Sequence, residues 1–310
     1  MSDAGSGSVS LTVTPTPEAR QPAPAGGVGR RLSRALDRRK GLQLGGLLTA
    51  PLGWLVVIYI GSLASLLLTS LYTTNDFTGN LVKTVSLTNF KELFRDPTFR
   101  IVTMRTIGIA LSVTFIDLVL ALPVAFFMAK VARRRSRRAL AVAVVLPLWA
   151  SYLVKAYCWR VVLDPVGGVM KQTAGFSPGF GLVATVLVLA YLWLPYMALP
   201  IYAGLEKLPD SLIDASGDLG AKGGRTFRSV VLPMLTPSIV AGAIFTFSLS
   251  LGDYIAVQIV GGKTRTMGNV IYGDFGAGNL PQAAAFACVP VVIMAVLLLA
   301  IRRTGALENL

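Results

Sequence analysis

The sequence predicts an all-α integral membrane protein with six transmembrane helices and both termini in the cytoplasm. Three observations predict it. Hydrophobic residues make up 54% of the chain and charged residues only 14%, whereas a soluble domain carries about a quarter charged residues. The apolar residues gather into six long stretches. Lysine and arginine fall mainly on every second connection between them, as expected for loops that stay inside.

Residues 1–29 are rich in Gly, Ser, Thr, Pro and Ala. Such a segment buries too little apolar surface to order itself, and no apolar core follows a basic start as in a signal peptide. Residues 1–40 are therefore expected to be a disordered cytoplasmic tail. The six-span domain follows over 41–303, with spans near 47–72, 106–129, 140–159, 180–203, 233–258 and 280–301, and a short tail over 304–310. Gly41–Asn75, Gln172–Leu205 and Phe275–Ile301 carry no charge, and Ile107–Ala129, Leu140–Trp159 and Leu232–Val260 carry one each, Asp117, Lys155 and Asp253. Crossing a hydrocarbon core of about 30 Å takes about 20 apolar residues. Lipid cannot satisfy backbone polar groups, so each stretch should be helical.

With the N-terminus inside, the inner segments hold Arg20, Arg30, Arg31, Arg34, Arg38, Arg39 and Lys40, then Lys130, Arg133, Arg134, Arg135, Arg137 and Arg138, then Lys207, Lys222, Arg225 and Arg228, and finally Arg302 and Arg303. The outer loops hold fewer: Lys83, Lys91, Arg95, Arg100, Arg160, Lys171, Lys263 and Arg265. This asymmetry accounts for the net charge of +14 through membrane lipid rather than nucleic acid. The arginine run at 133–138 lacks the interleaved aromatics of single-strand binders.

The chain has no histidine and two cysteines, Cys158 and Cys288, set in or beside apolar runs. Metal sites and the commonest general base are thereby disfavoured, and the cysteines read as packing residues. Gly262-Lys263-Thr264 looks like the end of a phosphate-binding loop, but that motif needs a glycine where Val257 stands. For an intramembrane enzyme only a Ser–Lys or an Asp–Asp pair remains, with Lys155 the sole candidate base and Ser151 one turn away. A secondary transporter would be expected to show internal repeats.

The connection over 206–232 is the most informative segment. Pro209-Asp210-Ser211 marks a helix start, with Ser211 and Asp214 spaced for a capping box. Leu212, Ala215, Ser216 and Leu219 share one helical stripe, and Gly220 is placed to end the helix in a left-handed turn. A second short helix is expected from about Arg225 to Leu232, before a span beginning at Pro233.

Asp214-Ala215-Ser216, Gly220, Phe227, Leu232-Pro233 and Pro237 resemble the cytoplasmic loop of binding-protein-dependent ABC importer permeases. Their motif reads Glu-Ala-Ala, three residues, Gly, and later Leu-Pro, three residues, Pro. Asp replaces Glu here and Ser replaces the second Ala. Leu146-Pro147-Leu148-Trp149, Leu192-Trp193-Leu194-Pro195-Tyr196 and Gly268-Asn269-Val270-Ile271 resemble the polyamine (spermidine/putrescine) branch. The resemblance covers roughly residues 45–303.

It implies the importer-permease fold, with a coupling helix formed by Leu212, Asp214, Ala215, Ser216, Leu219, Gly220 and Ala221 that inserts into an ATPase cleft. It further implies two ATPase subunits carrying ATP and Mg, no cofactor bound by this chain, a second and related permease, and an extracytoplasmic solute-binding protein. The expected cargo is a polyamine, with an amino-acid-like compound, iron, an anion or a sugar as alternatives. A carboxylate at mid-bilayer costs about 2.5–3.5 kcal/mol, so Asp253 and Asp117 are expected to face a cationic solute or a structural partner such as Arg105. Tyr254, Trp193 and Tyr196 are expected along the same pathway, where aromatic rings stack on ammonium groups.

Overall fold

The computed structural model describes residues 40–74 and 81–303; the expected tails over 1–39 and 304–310 lie outside the described residues. The chain divides into two units at Gly61. The described part of the first belongs to helix α1 (Lys40–Ser70), whose apolar side chains at Leu52, Trp54, Val57 and Tyr59 are exposed, as suits a surface bathed by lipid.

The second unit opens with a two-stranded antiparallel ladder, β1 (Thr73–Thr74) and β2 (Leu81–Val82), with Thr73 opposite Val82. Helix α2 (Thr88–Arg95) follows. Helix α3 (Pro97–Phe126) starts where the Asp96 carboxylate accepts the Thr98 N–H at 2.8 Å and Pro97 lacks an amide to lose. It runs on through a wide turn over Phe127–Val131, in which Ala132 N–H reaches back to Phe127 O. Helices α4 (Arg134–Trp149), α5 (Tyr152–Val162) and α6 (Val169–Ala174) lead to α7 (Leu182–Lys207). Then come α8 (Asp210–Asp218), α9 (Gly223–Thr226), a second wide turn (Phe227–Val231), α10 (Leu232–Gly252), α11 (Ile255–Val260), α12 (Met267–Gly276) and α13 (Leu280–Arg303).

Among the described residues five helices are long and apolar enough to cross a membrane, or six if one bent pair counts as a span. That pair corrects the expected third span. Instead of one helix over 140–159 there are two, α4 and α5, bent by 96°. Ala150 and Ser151 adopt extended backbone, and Pro147 has already withdrawn an amide from the last turn of α4. The fifth span is also corrected. Its helix begins at Gly223, because α9, the wide turn and α10 run on without interruption to Gly252; the expected separate helix at 225–232 is its first part. At the other end the helix stops at Gly252, so Asp253 and Tyr254 lie in a break before α11.

The core is a three-helix sheaf of α3, α7 and α10. Towards one end Ile109 and Val113 pack with Val188, Leu189 and Leu192; towards the other Ala121 and Ala125 pack with Met197, Ala198, Ile201 and Leu205. Small residues let α7 and α10 approach. A Cβ added to Gly242 would lie 3.2 Å from both Cα and O of Met197, and one on Gly204 would lie 2.2 Å from Ser238 Oγ. Gly242→Val should therefore push the backbones apart. The expected destabilisation is about 1–3 kcal/mol, the range for overpacked cores, read as a lower melting temperature in detergent, while Gly53→Ala, with nothing within 4 Å of the added carbon, should be close to neutral.

Candidate functional site

Two regions hold the residues singled out by sequence, Asp117 excepted, and they lie towards opposite ends of the helix sheaf. The first is the hairpin between α7 and α10. Leu208, extended and 5% exposed, seats the chain in the core with Leu205 and Val231, and Pro209 directs it into α8. The expected capping box is absent from the described contacts: α8 begins at Asp210 with no side chain bonded to its first amides. Its start is held instead by Lys130, at the end of α3, whose Nζ donates to Leu208 O and to Asp210 Oδ1, each at 2.6 Å. The Lys130 side chain is 11% exposed but the Asp210 side chain is 79% exposed, so the ion pair itself is worth little and the bond to Leu208 O is the shielded contact.

Ile213 and Phe227 pack inward against the lower core, and the Phe227 ring meets Phe126 edge-on at 5.9 Å. Ser216 also faces inward, with Oγ 3.0 Å from Thr226 Oγ1, which corrects its place on the outward stripe. Leu212 is 40% exposed and Leu219 89% exposed, and Asp214, Ala215 and Gly220 are exposed as well. Gly220 takes φ +79°, a left-handed turn at little cost for glycine, and Ala221 N–H closes it on Ser216 O at 3.1 Å. The result is a short helix with an apolar stripe turned to the surroundings and its back fixed to α3 and α10. Such a stripe is exposed surface rather than core.

Removing the tether should loosen the hairpin without dissolving it. Lys130→Met leaves Leu208 O without its donor and Asp210 unpaired; a lost hydrogen bond to a charged group costs about 1.5–3 kcal/mol. Amide exchange over 208–220 should quicken by at least tenfold while the core of α3 and α7 keeps its protection.

The second region is the break after α10. The Asp253 carboxylate, in a residue 8% exposed, accepts from the Tyr152 hydroxyl and from Ala256 N–H at 2.9 Å. Asp253 thus caps α11 and fastens it to α5. Tyr254 O accepts from Asn269 Nδ2 at 3.1 Å, and Met267 N–H donates to Thr106 Oγ1 at 3.0 Å, so α12 is fixed to the same break and to α3. A cavity of about 370 Å³ opens here, lined by Tyr152, Trp193, Ser248, Asp253, Tyr254 and Ile255. Tyr152 stacks on Trp193 at 6.0 Å, and Trp193 Nε1 is buried without a hydrogen-bond partner. The cavity therefore combines one carboxylate with three aromatic rings.

Of the residues singled out for the pathway, Trp193, Asp253 and Tyr254 line this one cavity. Tyr196, 37% exposed, reaches the group only through its edge contact with Trp193 at 5.8 Å. Asp117 does not line this cavity. It is fully buried in α3, both carboxylate oxygens lack a hydrogen-bond partner, and Arg105 does not pair with it. Sequence reasoning missed Tyr152 and the role of Lys130. Each acts on a segment about 80 to 100 residues away, and no local pattern marks such a pairing. Among the described residues no group of three or more His, Cys, Asp or Glu could hold a metal ion.

Comparison with known proteins places this geometry. The model of the family described as binding-protein-dependent transport system inner membrane component matches residues 110–304, a stretch that contains the hairpin, the break and Asp117. The inner membrane ABC transporter permease protein YdcU of Escherichia coli (strain K12) is 42% identical over 289 residues, 87% of this chain and 92% of that protein. The spermidine/putrescine transport system permease protein PotB of the same organism is 30% identical over 271 residues, 83% of this chain and 96% of that protein. Among solved structures, a chain of a bacterial alginate ABC transporter in complex with an alginate pentasaccharide-bound periplasmic protein superposes with a TM-score of 0.66 at 16% identity, covering 89% of this chain and 98% of that one; at that identity it supports the fold. With the apolar spans, these matches show that the chain belongs to the binding-protein-dependent transport system inner membrane component family, as a multi-pass permease subunit of an ABC importer in a bacterial inner membrane.

Proposed function

We propose that this permease forms half of a pathway for a small cationic solute of the polyamine type, opened and closed by two ATPase subunits that grip the α8 hairpin from the cytoplasm. The observation that carries the reading is the outward apolar stripe of Leu212, Ala215 and Leu219 on a helix tethered through Lys130 to α3. A push on α8 reaches the transmembrane core through that tether and through the Phe126–Phe227 contact. ATP and Mg belong to the ATPases. A second, related permease completes the pathway, a solute-binding protein delivers cargo from outside, and both termini lie in the cytoplasm.

The cargo class is supported by the cavity at the break. An ammonium group is satisfied by a carboxylate and by aromatic faces together, and Asp253, Tyr152, Trp193 and Tyr254 supply both. The name of PotB points the same way.

The experiment is uptake into proteoliposomes holding the full complex. Radiolabelled putrescine and spermidine should enter only with ATP inside and cognate binding protein outside, and a cysteine at Ser211 should react with a membrane-impermeant maleimide only from the ATPase side. Uptake of an anion or a sugar in place of the amines would sink the cargo assignment. Labelling of that cysteine from the binding-protein side would sink the coupling assignment.

A further inference from the structure

At the end of the sheaf away from the hairpin, a cavity of about 500 Å³ is lined by Arg105, Phe180, Gly181, Leu182, Gly262, Lys263 and Thr264. It holds two cations and no acid. Among the described residues the ion pairs are Lys130–Asp210 and Arg137–Glu206, so neither Arg105 nor Lys263 is neutralised. The neighbouring Arg160 is already committed: its guanidinium lies 4.9 Å above the Phe180 ring and donates to Ile259 O. It also lies near Asp164, whose carboxyl is held below the ordinary range first by the N–H groups of Val166 and Gly167 and then by Arg160 itself.

The walls of this notch are fixed. Gly181 N–H donates to Val260 O at 3.0 Å and Thr264 N–H to Gly261 O at 2.8 Å. Gly262 takes φ +56° with its Cα pressed against Phe180, where an added Cβ would lie 3.2 Å from the carbonyl oxygen. The two free cations therefore stand on a preformed rim rather than on a loose loop.

Position supplies the partner. Arg105 and Lys130 lie on one continuous helical path about 25 residues apart, on the order of 38 Å, which exceeds the roughly 30 Å hydrocarbon core. If Lys130 marks the ATPase side, the notch opens on the opposite side, where a soluble protein must land to deliver cargo. We infer that the Arg105–Lys263 notch receives a carboxylate side chain, Asp or Glu, from the docking surface of the solute-binding protein. Guanidinium and carboxylate match in planar, bidentate geometry, and a cavity of this size admits the acidic side chain with part of its loop. Opposed charges of this kind mainly raise the association rate and select the partner. The inference rests on the importer reading above and deepens it.

The test uses the complete transporter in nanodiscs of phosphatidylethanolamine with and without phosphatidylglycerol. Binding-protein-stimulated ATP hydrolysis is titrated for the wild type, for the exposed-site variant Lys263→Glu and for Arg105→Gln/Lys263→Glu. The concentration of binding protein giving half-maximal stimulation should rise at least tenfold in the double variant and several-fold in Lys263→Glu. Hydrolysis without binding protein should stay unchanged, and the wild type's half-maximal concentration should rise with salt more steeply than that of the double variant. A charge-reversed Asp or Glu on the binding protein should restore the double variant.

Three results would overturn the inference: half-maximal concentrations equal to wild type in both variants, an effect that tracks phosphatidylglycerol content alone, or an equal fall in hydrolysis with and without binding protein. If wild-type hydrolysis does not respond to binding protein at all, the importer reading itself fails, and this docking site with it.

Discussion

Changing Leu212 and Leu219 together to Asp is expected to abolish ATP-driven uptake and to release the ATPase from the complex. Both side chains are exposed in the permease, Leu219 almost fully, so an isolated subunit loses little by the change. Under the coupling reading both become buried against the ATPase. Fully burying an exposed leucine is worth about 1.5–3 kcal/mol; Leu219 at 89% exposed gains most of that and Leu212 at 40% exposed less than half, so the pair accounts for about 2–4 kcal/mol, or roughly 30- to 10³-fold in affinity. The introduced carboxylates would need desolvation as well and can only add to the loss. Co-purification through a tag on the permease reads the result directly, and the melting temperature of the permease alone should stay within a degree or two. ATPase retained in wild-type amount would mean that the stripe contacts something else.

The second large effect is expected at Asp253, where two substitutions separate two roles. Asp253→Ala removes the acceptor of the Tyr152 hydroxyl and leaves Ala256 N–H only its 3.1 Å bond to the Tyr152 oxygen, in a poorly solvated site. Each unsatisfied buried group costs about 1–3 kcal/mol, so α11 should come loose from α5 and assembly should suffer. Asp253→Asn keeps the shape. Its carbonyl can still accept from Ala256, and its amide can donate to the tyrosine oxygen, but the charge is gone. If the carboxylate faces a cationic solute, Asp253→Asn should assemble normally and melt like the wild type. Its uptake of putrescine should fall by tenfold or more, a loss of about 1.4 kcal/mol per decade. Normal uptake by Asp253→Asn, with loss only in Asp253→Ala, would reduce Asp253 to a cap for α11.

Much of the architecture was written in local composition. Stretches with at most one charge marked α1, α3, α7, α10 and α13, because a lipid-facing helix must be apolar along its length whatever it packs against. The hairpin was legible through Pro209 and Gly220, whose backbone restrictions act on their own. What the sequence hid depends on distant partners. The bend between α4 and α5 falls at Ala150 and Ser151, two residues with no strong turn preference, inside a run apolar enough for one straight span. The capping box was wrong because Lys130, about 80 positions earlier, draws Asp210 into the role of first helical residue. Asp253 looked like a charge within a span until Tyr152 and Ala256 were seen to claim it. Ser216 looked outward by periodicity, yet Thr226 across the hairpin turns it in.

The wide turns at Phe127–Val131 and Phe227–Val231 carry one more consequence. Each is an α-helix holding a single surplus residue, and together they flank the hairpin on the two helices that hold it. Because each wide turn absorbs its extra residue locally, deleting one residue within 227–231 would convert it to a regular turn and leave α8 and α10 close to their present phase, whereas deleting one from the regular part of α10 would rotate what precedes it by about 100°. Under the coupling reading proposed above, a homologue lacking that extra residue should offer its hairpin on the same bearing, because the wide turn stores length and not phase.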